Sequence, residues 1–266
     1  MKLRIFSRKL PISFIFLKIY DTLKILQFSF ALKKSIAIFI CYLRKKSPED
    51  NRIIFRNGTK IYFSSNEDDI ITFMTVFGKR EYGKIENNSV VIDIGANIGL
   101  FTIYALTNGA KKVISVEPSA EAFETMAKNI NINNFSHKVI LIRKAVTSKD
   151  GEKVFIKNNS SPYNEITYYQ PDMQNWQAID TISLNKIFES TSSDISLLKI
   201  DCEGSELEIL KSLRKEFFDK IKDIRIEYHL KNYSKKSLFE LIYSFGFYLV
   251  YEKYCVAWFR KDIKQV

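Results

Sequence analysis

Two acidic residues lie near the ends of consecutive predicted strands, each where a strand gives way to a helix. Asp93 lies in VIDIGANIG, a predicted strand that turns through Gly95 and Gly99 into a helix, and Glu117 ends the next predicted strand. Ligands of open α/β sheets bind beyond the carboxyl ends of the strands, and a glycine turn lets them approach the backbone. The two acids therefore indicate a small-ligand site at this edge of the sheet.

The residues around the turn narrow the class of ligand. The middle glycine of the Gly-x-Gly-x-x-Gly dinucleotide fingerprint is missing, and no lysine follows Gly99 as it would in a phosphate loop. An Asp93 carboxylate beside the ligand would repel a pyrophosphate and suit a cation, whereas Glu117 can accept charge-assisted hydrogen bonds from a ribose diol. S-adenosylmethionine, a cationic adenosine compound, fits both acids. The structural alternatives are a helix N-cap for Asp93 and a helix-start acid for Glu117.

A second group of titratable residues follows two later predicted strands. Asp201 and Glu203 come after LLKI, while Glu227 and His229 lie near the end of DIRIEYHL. Two acids at one strand end can bind a divalent cation, or one can act as a general base, and no metal ligands are predicted. His229 is a further candidate base, since the ordinary pKa of histidine is about 6.5. An ion-pair network of Glu227 with Arg225 or His229 is the structural alternative.

The helix after Asp201 has a recognisable start. Ser205 and Glu208 have the spacing of a capping box, so Glu208 is predicted to be structural. Glu206, in the first turn of the same helix, is expected to do no more than favour the helix dipole.

Strands and helices alternate along most of the chain, which predicts a doubly wound, mostly parallel α/β sheet. The predicted strands are Val90–Ile94, Lys112–Glu117, Val139–Ala145, Leu197–Asp201 and Ile224–His229, and the predicted helices are Gly99–Thr107, Ala120–Ile132, Glu206–Leu213 and Lys235–Phe245. A C-terminal antiparallel hairpin is expected from Phe247–Glu252 and Cys255–Lys261, an earlier hairpin from residues 52–63, and a helix from residues 67–82.

The segment from Gly151 to Asn185 has a looser pattern, which predicts an irregular loop that acts as a substrate lid. Aromatic residues cluster in it, and they suit either the apolar face of a sugar ring or the attachment of the loop to the domain. These residues are Tyr163, Tyr168, Tyr169 and Trp176.

Composition and charge bound the function. The chain has 266 residues, 46% of them apolar, three widely spaced cysteines and two histidines, which predicts a globular protein of a reducing, cytoplasmic compartment without a zinc cluster. Residues 1–46 hold 11 Lys/Arg and one acid, whereas residues 47–266 hold 30 Lys/Arg and 29 Asp/Glu. The folded body is thus close to neutral, and nucleic acid is not expected as a partner.

The basic residues of the N-terminal segment alternate with Phe, Ile and Leu. Its longest uncharged run, Ser35 to Leu43, has nine residues, too few for a transmembrane helix. Residues 1–48 are therefore predicted to be a helical extension of a domain that covers residues 49–266. Three interpretations fit the segment: contact with a membrane surface, packing on the domain, or an anchor or signal.

Three motifs resemble a known family. VIDIGANIG followed by EP resembles the first two motifs of class I S-adenosylmethionine-dependent methyltransferases, and LLKIDCEGSELEIL is similar to the KIDVEGAE motif of the FkbM methyltransferases. IEYH resembles the next strand of that family, so the likeness covers about residues 80–250. The family often has an aspartate in the segment that matches Ser183-Leu184-Asn185, and Asn185 stands there instead.

The resemblance implies a seven-stranded sheet and methyl transfer from S-adenosylmethionine to an oxygen, typically a hydroxyl of a sugar or natural product. A small-molecule or glycan acceptor is expected, and a non-catalytic module that binds the same cofactor is the alternative. The predicted catalytic residues are Asp201, Glu203, Glu227 and His229. The predicted cofactor-binding residues are Asp93, Gly95, Ala96, Asn97, Gly99, Glu117, Pro118 and Ala145.

Overall fold

The computed structural model describes residues 2–5, 8–157, 166–168, 176–191 and 193–261. The chain forms two compact units, Met1–Glu81 and Tyr82–Val266. The predicted residues Tyr163 and Tyr169 lie outside the described part of the chain.

The first unit combines two hairpins with helices. Its elements are β1 (Lys2–Ile5), β2 (Arg8–Pro11), α1 (Ile12–Ser29), α2 (Ser35–Arg44), β3 (Arg52–Ile54), β4 (Lys60–Tyr62), α3 (Asp69–Phe73) and a π-helix (Met74–Lys79). The rings of Phe28, Phe55, Phe73 and Phe77 contact one another, with centroids 5.1 to 6.4 Å apart. This aromatic core joins α1 to the predicted hairpin and helix within one compact unit, Met1–Glu81. The domain boundary after residue 48 stays a prediction.

The second unit alternates strands and helices as predicted. Its first half comprises β5 (Val90–Ile94), α4 (Leu100–Thr107), β6 (Lys112–Val116), α5 (Ala120–Ile132), a 3₁₀ turn (Ser136–Lys138), β7 (Val139–Ile142), β8 (Ala145–Thr147), β9 (Lys153–Lys157) and β10 (Ile166–Thr167). Its second half comprises β11 (Trp176–Ser183), α6 (Leu184–Glu189), β12 (Ile195–Ile200), α7 (Glu206–Ser212), α8 (Lys215–Phe218), β13 (Ile221–Glu227), α9 (Lys235–Ser244), β14 (Phe247–Lys253) and β15 (Val256–Lys261).

Seven strands form the main sheet, in the order β14-β15-β13-β12-β5-β6-β7. Five neighbouring strands of this sheet run parallel, namely β13, β12, β5, β6 and β7. Strand β15 pairs antiparallel with both β13 and β14. This is the predicted class I methyltransferase arrangement, with its C-terminal hairpin. The register places Ile94 of β5 beside Ile200 of β12 and Val116 of β6, so these three strands end at the same edge of the sheet.

The segment predicted to be an irregular lid is partly a second sheet. Strands β8 to β11 form it in the order β10-β9-β11-β8, and its buried side chains are Ala145, Val154, Ile156 and Ile179. Alternate apolar residues of β9 face this small core, which explains why the segment folds as strands. The predicted strand Val139–Ala145 is divided for the same reason, because Ala145 pairs with Thr181 of the second sheet.

The C-terminal hairpin turns one residue later than predicted. Tyr254 and Cys255 join β14 to β15, and Tyr254 adopts a left-handed backbone with φ +56°. Asn185, at the position where the family often has an aspartate, is structural: its amide donates to Ser212 and its carbonyl accepts from the Arg214 backbone.

Candidate cofactor and active site

The glycine turn after β5 is pressed against the end of β12. Gly95 has φ +71°, and a Cβ atom added to it would lie 1.8 Å from the carbonyl oxygen of Asp201. Gly95 and Ala96 both donate backbone hydrogen bonds to the Val116 carbonyl at the end of β6. Glycine is therefore required at this position, where the turn is held between two strand ends.

Asp93 lies inside the protein beneath this turn. Its side chain is 0% exposed, accepts a hydrogen bond from the Thr102 hydroxyl at 2.7 Å and lies 3.2 Å from the Lys199 ammonium. This carboxylate was predicted to lie beside the ligand, whereas Thr102 and Lys199 enclose it. A role of Asp93 in cofactor binding stays a prediction. Asp93 would act indirectly, by helping to hold the glycine turn in position.

Lys199, which is not among the predicted site residues, connects the two groups of acids. Its buried ammonium donates to the Gly95 carbonyl at 2.8 Å and lies 3.2 Å from Asp93 and 3.6 Å from Asp201. Burial acts to lower the pKa of Lys199, but attraction to Asp93 and Asp201 outweighs it and raises the pKa above its ordinary value. A sequence signal existed, since a lysine within a strand buried on both faces needs acidic partners.

Glu117 faces the glycine turn from the end of β6. Its carboxylate accepts hydrogen bonds from the backbone amides of Asn97 and Ser119, each at 2.8 Å. Burial raises the pKa of Glu117 to about 7, although these two amides act in the opposite direction. The carboxylate thus links the turn to the loop that carries Pro118.

The other predicted cofactor residues differ in their surroundings. Ala96 is buried in the turn. Asn97 and Gly99 have positive φ, as Gly95 does, so three of the five residues from 95 to 99 have a left-handed backbone. Ala145 packs in the core of the second sheet, and its role in cofactor binding stays a prediction.

Asp201 and Glu227 are joined by a residue outside the predicted motifs. The Tyr82 hydroxyl donates to Glu227 Oε2 at 2.8 Å and lies 3.4 Å from Asp201 Oδ2. Burial, followed by repulsion from Asp201, raises the pKa of Glu227 to about 7. A carboxylate of that pKa can accept a proton near neutral pH, which is the property that a general base requires.

Arg225 belongs to the support of this site. It lies 3.6 Å from Asp223, donates to the Lys84 carbonyl at 2.6 Å and also donates to the Tyr82 carbonyl. These contacts fasten the backbone that carries Tyr82 to β13. Arg225 therefore positions Tyr82, while the phenol of Tyr82 contacts Glu227.

His229 lies between two carboxylates. Its Nδ1 is 2.9 Å from Glu206 Oε1, and its Nε2 is 3.4 Å from Glu203 Oε1. Burial acts to lower the pKa of His229, but the hydrogen bond to Glu206 and the nearby acids raise it to about 9. The imidazole is therefore protonated at neutral pH, which disfavours it as the base.

The capping-box prediction for α7 was wrong. The acid that accepts hydrogen bonds at the start of this helix is Glu206, for which only a favourable effect on the helix dipole was expected. Ser205 makes no side-chain capping hydrogen bond, and Glu208 accepts one from Ser148 instead. The buried Glu206 carboxylate accepts from the backbone amides of Cys202 and Gly204, and from the Tyr233 hydroxyl at 2.7 Å. Helical spacing carried the signal, because Glu206 shares a face with the buried Ile209 and Leu210.

Asp201, Glu203 and His229 also bring three potential metal-ligand atoms within 4.8 Å of one another. Each of the two acids already has a cationic neighbour, since Asp201 lies 3.6 Å from Lys199 and Glu203 lies 3.2 Å from Lys231. His229 would have to lose a proton to bind a cation. No metal is assigned to this group on these grounds.

Sequence comparison finds methyltransferases among the relatives of this chain. The chain is 28% identical over 129 residues to the hexuronic acid methyltransferase AglP of Haloferax volcanii, covering 48% of this chain and 51% of that protein. It is 30% identical over 133 residues to the tRNA (guanine(37)-N(1))-methyltransferase Trm5b of Methanocaldococcus jannaschii, covering 48% of this chain and 38% of that one. The chain thus spans about half or less of the length of these relatives.

A solved FkbM methyltransferase from Methylobacillus flagellatus is similar with a TM-score of 0.46 and 13% identity, covering 85% of this chain and 59% of that one. The family profile described as the methyltransferase FkbM domain matches residues 93–253. That match extends from Asp93 through both groups of acids to the end of β14. The chain therefore belongs to the FkbM family of methyltransferases.

Proposed function

We propose that the protein is an S-adenosylmethionine-dependent O-methyltransferase that methylates a hydroxyl of a sugar or glycan. One observation carries the proposal. Glu117 at the glycine turn, and the pair of Asp201 and Glu227 joined by Tyr82, lie at or directly after the carboxyl ends of parallel strands of one sheet. Glu117 is suited to bind the adenosine of a cofactor. The pair of Asp201 and Glu227 is suited to accept a proton from a hydroxyl acceptor.

The glycine turn and Glu117 would hold the cofactor. The Glu117 carboxylate keeps lone pairs beyond its two amide hydrogen bonds, and it can accept further bonds from a ribose diol. The cofactor supplies an electrophilic methyl group on a sulfonium, so the protein must mainly align the acceptor and exclude water. Lys199 would keep the turn in place through Gly95 and Asp93.

Glu227, paired with Asp201, is the base in this proposal. Glu227 would accept the proton of the acceptor hydroxyl as that oxygen takes the methyl group that a bound cofactor would supply. The ionised form of Glu227 is available near neutral pH because its pKa is about 7. Glu206, Glu203 and protonated His229 would hold the loop after β12 in place.

A glycan is favoured over a polynucleotide as the acceptor. The name of AglP specifies hexuronic acid and that of Trm5b specifies tRNA, so the relatives name both classes. Residues 47–266 hold 30 Lys/Arg against 29 Asp/Glu, which provides little net attraction for a polyphosphate. The three cysteines fit a cytoplasmic location for this activity.

The test combines cofactor binding with product detection. The purified protein is titrated with S-adenosylhomocysteine by calorimetry and then incubated with S-adenosylmethionine and either uronic-acid oligosaccharides or tRNA. We expect a mass gain of one methylene group in the oligosaccharide, lost in Glu227→Gln with cofactor binding intact and retained in Glu240→Gln, which changes an exposed glutamate.

Three other outcomes would contradict the cofactor, the acceptor class or the catalytic activity that we propose. No cofactor binding would overturn it entirely, and methylated tRNA would overturn the acceptor class. Binding without any product, including from fractionated extracts, would favour the non-catalytic module.

A further inference from the structure

Helix α1 presents a stripe of large apolar side chains to solvent. The stripe residues follow the spacing i, i+4, i+7 and i+11, so they share one face, and their exposed fractions run from 36% to 59%. They are Ile19, Leu23 and Leu26 of α1, and Phe30 directly after its last residue. The helix is packed into the unit by the opposite face, where Asp21, Ile25 and Ser29 are buried. The packing of α1 in the unit therefore uses the opposite face and leaves the stripe exposed to solvent.

Helix α2 repeats the arrangement. Ile36, Ile40 and Leu43 lie at i, i+4 and i+7, with exposed fractions of 40% to 68%, while Ile38 on the other face is buried. Two successive helices thus each display a narrow apolar stripe opposite their packed face. Scattered single apolar residues are ordinary on protein surfaces, but aligned stripes of this kind mark an interaction surface.

The charges around these stripes are almost all positive. Residues 18–46 hold seven cations, namely Lys18, Lys24, Lys33, Lys34, Arg44, Lys45 and Lys46. The single acid of the segment, Asp21, is buried. Asp50, just beyond it, lies 3.7 Å from Lys34 in an exposed ion pair, which is weak in water. A partner of this surface must accept apolar side chains and also carry negative charge.

The apolar stripes and the positive charges together distinguish between the possible partners of this surface. A second copy of the chain would bring cations against cations, and a polynucleotide would leave the Ile, Leu and Phe side chains without an apolar partner. Among the helices of the described residues, none is both long and apolar enough to cross a bilayer. A helix that lies in the interface of an anionic bilayer satisfies both requirements, because its apolar stripe enters the acyl boundary while its cations meet the headgroups.

We propose that the apolar–cationic face formed by residues 18–46 docks on the surface of a bilayer that contains anionic lipids. The stripes of α1 and α2 insert below the headgroups, and the flanking Lys and Arg side chains contact lipid phosphates. This inference depends on the first compact unit alone and is independent of the reaction proposed for the second. It makes the protein a peripheral membrane protein held by two signals, apolar insertion and charge.

Flotation of the full chain with vesicles tests the proposal. The probes are vesicles of phosphatidylcholine alone and of phosphatidylcholine mixed with phosphatidylglycerol. We expect the chain to float with the mixed vesicles, with roughly tenfold weaker binding to the neutral ones and a similar loss at high salt. Free inorganic phosphate at equal charge should not compete, which separates a bilayer from an anion site.

Matched variants separate the stripes from general apolar exposure. The double variant Leu23→Ser/Ile36→Ser removes one residue from each stripe, and Ile132→Ser/Val250→Ser removes two comparably exposed apolar residues of the second unit. The stripe variant should lose binding by roughly tenfold or more, and the control should bind as the parent does. Circular dichroism and cofactor binding establish that both variants are folded.

Three results would overturn the proposal. The first is equal binding by the stripe and control variants, and the second is no vesicle binding by the parent chain. The third is concentration-dependent self-association that the stripe variant abolishes while vesicles have no effect, which would identify a second copy as the occupant.

Discussion

The Tyr82 hydroxyl donates a 2.8 Å hydrogen bond to Glu227, a residue 145 positions away in the chain. The same oxygen lies 3.4 Å from Asp201 Oδ2. Burial, and then the charges of Asp201 and Glu227, raise the pKa of Tyr82 well above its ordinary value, so the phenol is neutral and acts as a donor. One hydroxyl thus orients the two carboxylates that we propose to face the acceptor.

We predict that Tyr82→Phe lowers kcat with little change in KM for S-adenosylmethionine. A hydrogen bond to a charged group contributes about 1.5–3 kcal/mol, which corresponds to a roughly ten- to hundredfold loss of rate. The bond from Tyr82 lowers the pKa of Glu227, so its removal should also shift the acid limb of the rate profile to higher pH.

The control for this change is Tyr104→Phe. Tyr104 is another buried tyrosine, and its hydroxyl donates to the Gly83 carbonyl at 2.9 Å rather than to an acid. It should leave the pH profile in place. If Tyr82→Phe lowered the rate without moving the profile, a purely structural role for Tyr82 would be indicated.

The sheet and the glycine turn could be predicted because their signals are local. The alternation of strand and helix patterns, and the short spacing from Asp93 to Gly99, lie within single windows of sequence. Predicted helix Ala120–Ile132 has the same ends in the structure, and β5 matches its predicted strand. These elements follow from periodicity and turn chemistry alone.

The hydrogen-bond partners of the site could not be predicted in the same way. Tyr82 has no motif around it, and its contacts to Asp201 after β12 and to Glu227 of β13 exist only once the sheet has formed. Lys199 and Glu206 did carry local signals, since each stands at a buried position of its strand or helix. Interpreting a charged residue at a buried position as ion-paired would have placed both in the site.

Glu117 makes a prediction about cofactor affinity and pH. The ribose diol donates to the ionised carboxylate, and the pKa of Glu117 in the free protein is about 7 because the group is buried. Below pH 7 binding must first remove a proton, so the affinity for S-adenosylhomocysteine should rise from pH 6 to pH 8 and then level off. Calorimetry across this range measures the change.

Glu117→Gln should weaken binding by roughly tenfold at pH 8 and abolish its pH dependence, since a neutral acceptor forms weaker hydrogen bonds. Glu124→Gln, an exposed position of α5, is the matched control. A pH dependence that persists in Glu117→Gln would show that another group titrates with binding.

Lys199 should be important for stability. Lys199→Met leaves the buried Asp93 carboxylate without its cation, and breaking a buried ion pair costs about 3–5 kcal/mol in the free energy of unfolding. The double variant Asp93→Asn/Lys199→Met removes both charges and should regain part of this loss. Urea unfolding of the parent, the two single variants and the double variant measures the coupling; additive losses would contradict the pairing.

His229 predicts how stability depends on pH. Its pKa is raised from about 6.5 to about 9 in the folded protein, so folding favours the imidazolium between Glu206 and Glu203. This contribution is complete below pH 6.5 and is lost as pH rises through 9. His229→Asn should flatten the decrease in urea stability between pH 7 and pH 10, and an unchanged decrease would assign it to other groups.

The rate profile distinguishes the two candidate bases. If Glu227 accepts the proton, kcat should rise roughly tenfold per pH unit below pH 7 and level off above it, because the base must be ionised. If His229 were the base, the limb would lie near pH 9, since its imidazole must first lose a proton. Stopped assays with saturating cofactor from pH 5.5 to pH 9.5 should show a limb near 7 that His229→Asn retains and Glu227→Gln removes; a limb near 9 that disappears in His229→Asn would move the base from β13 to the loop that follows it.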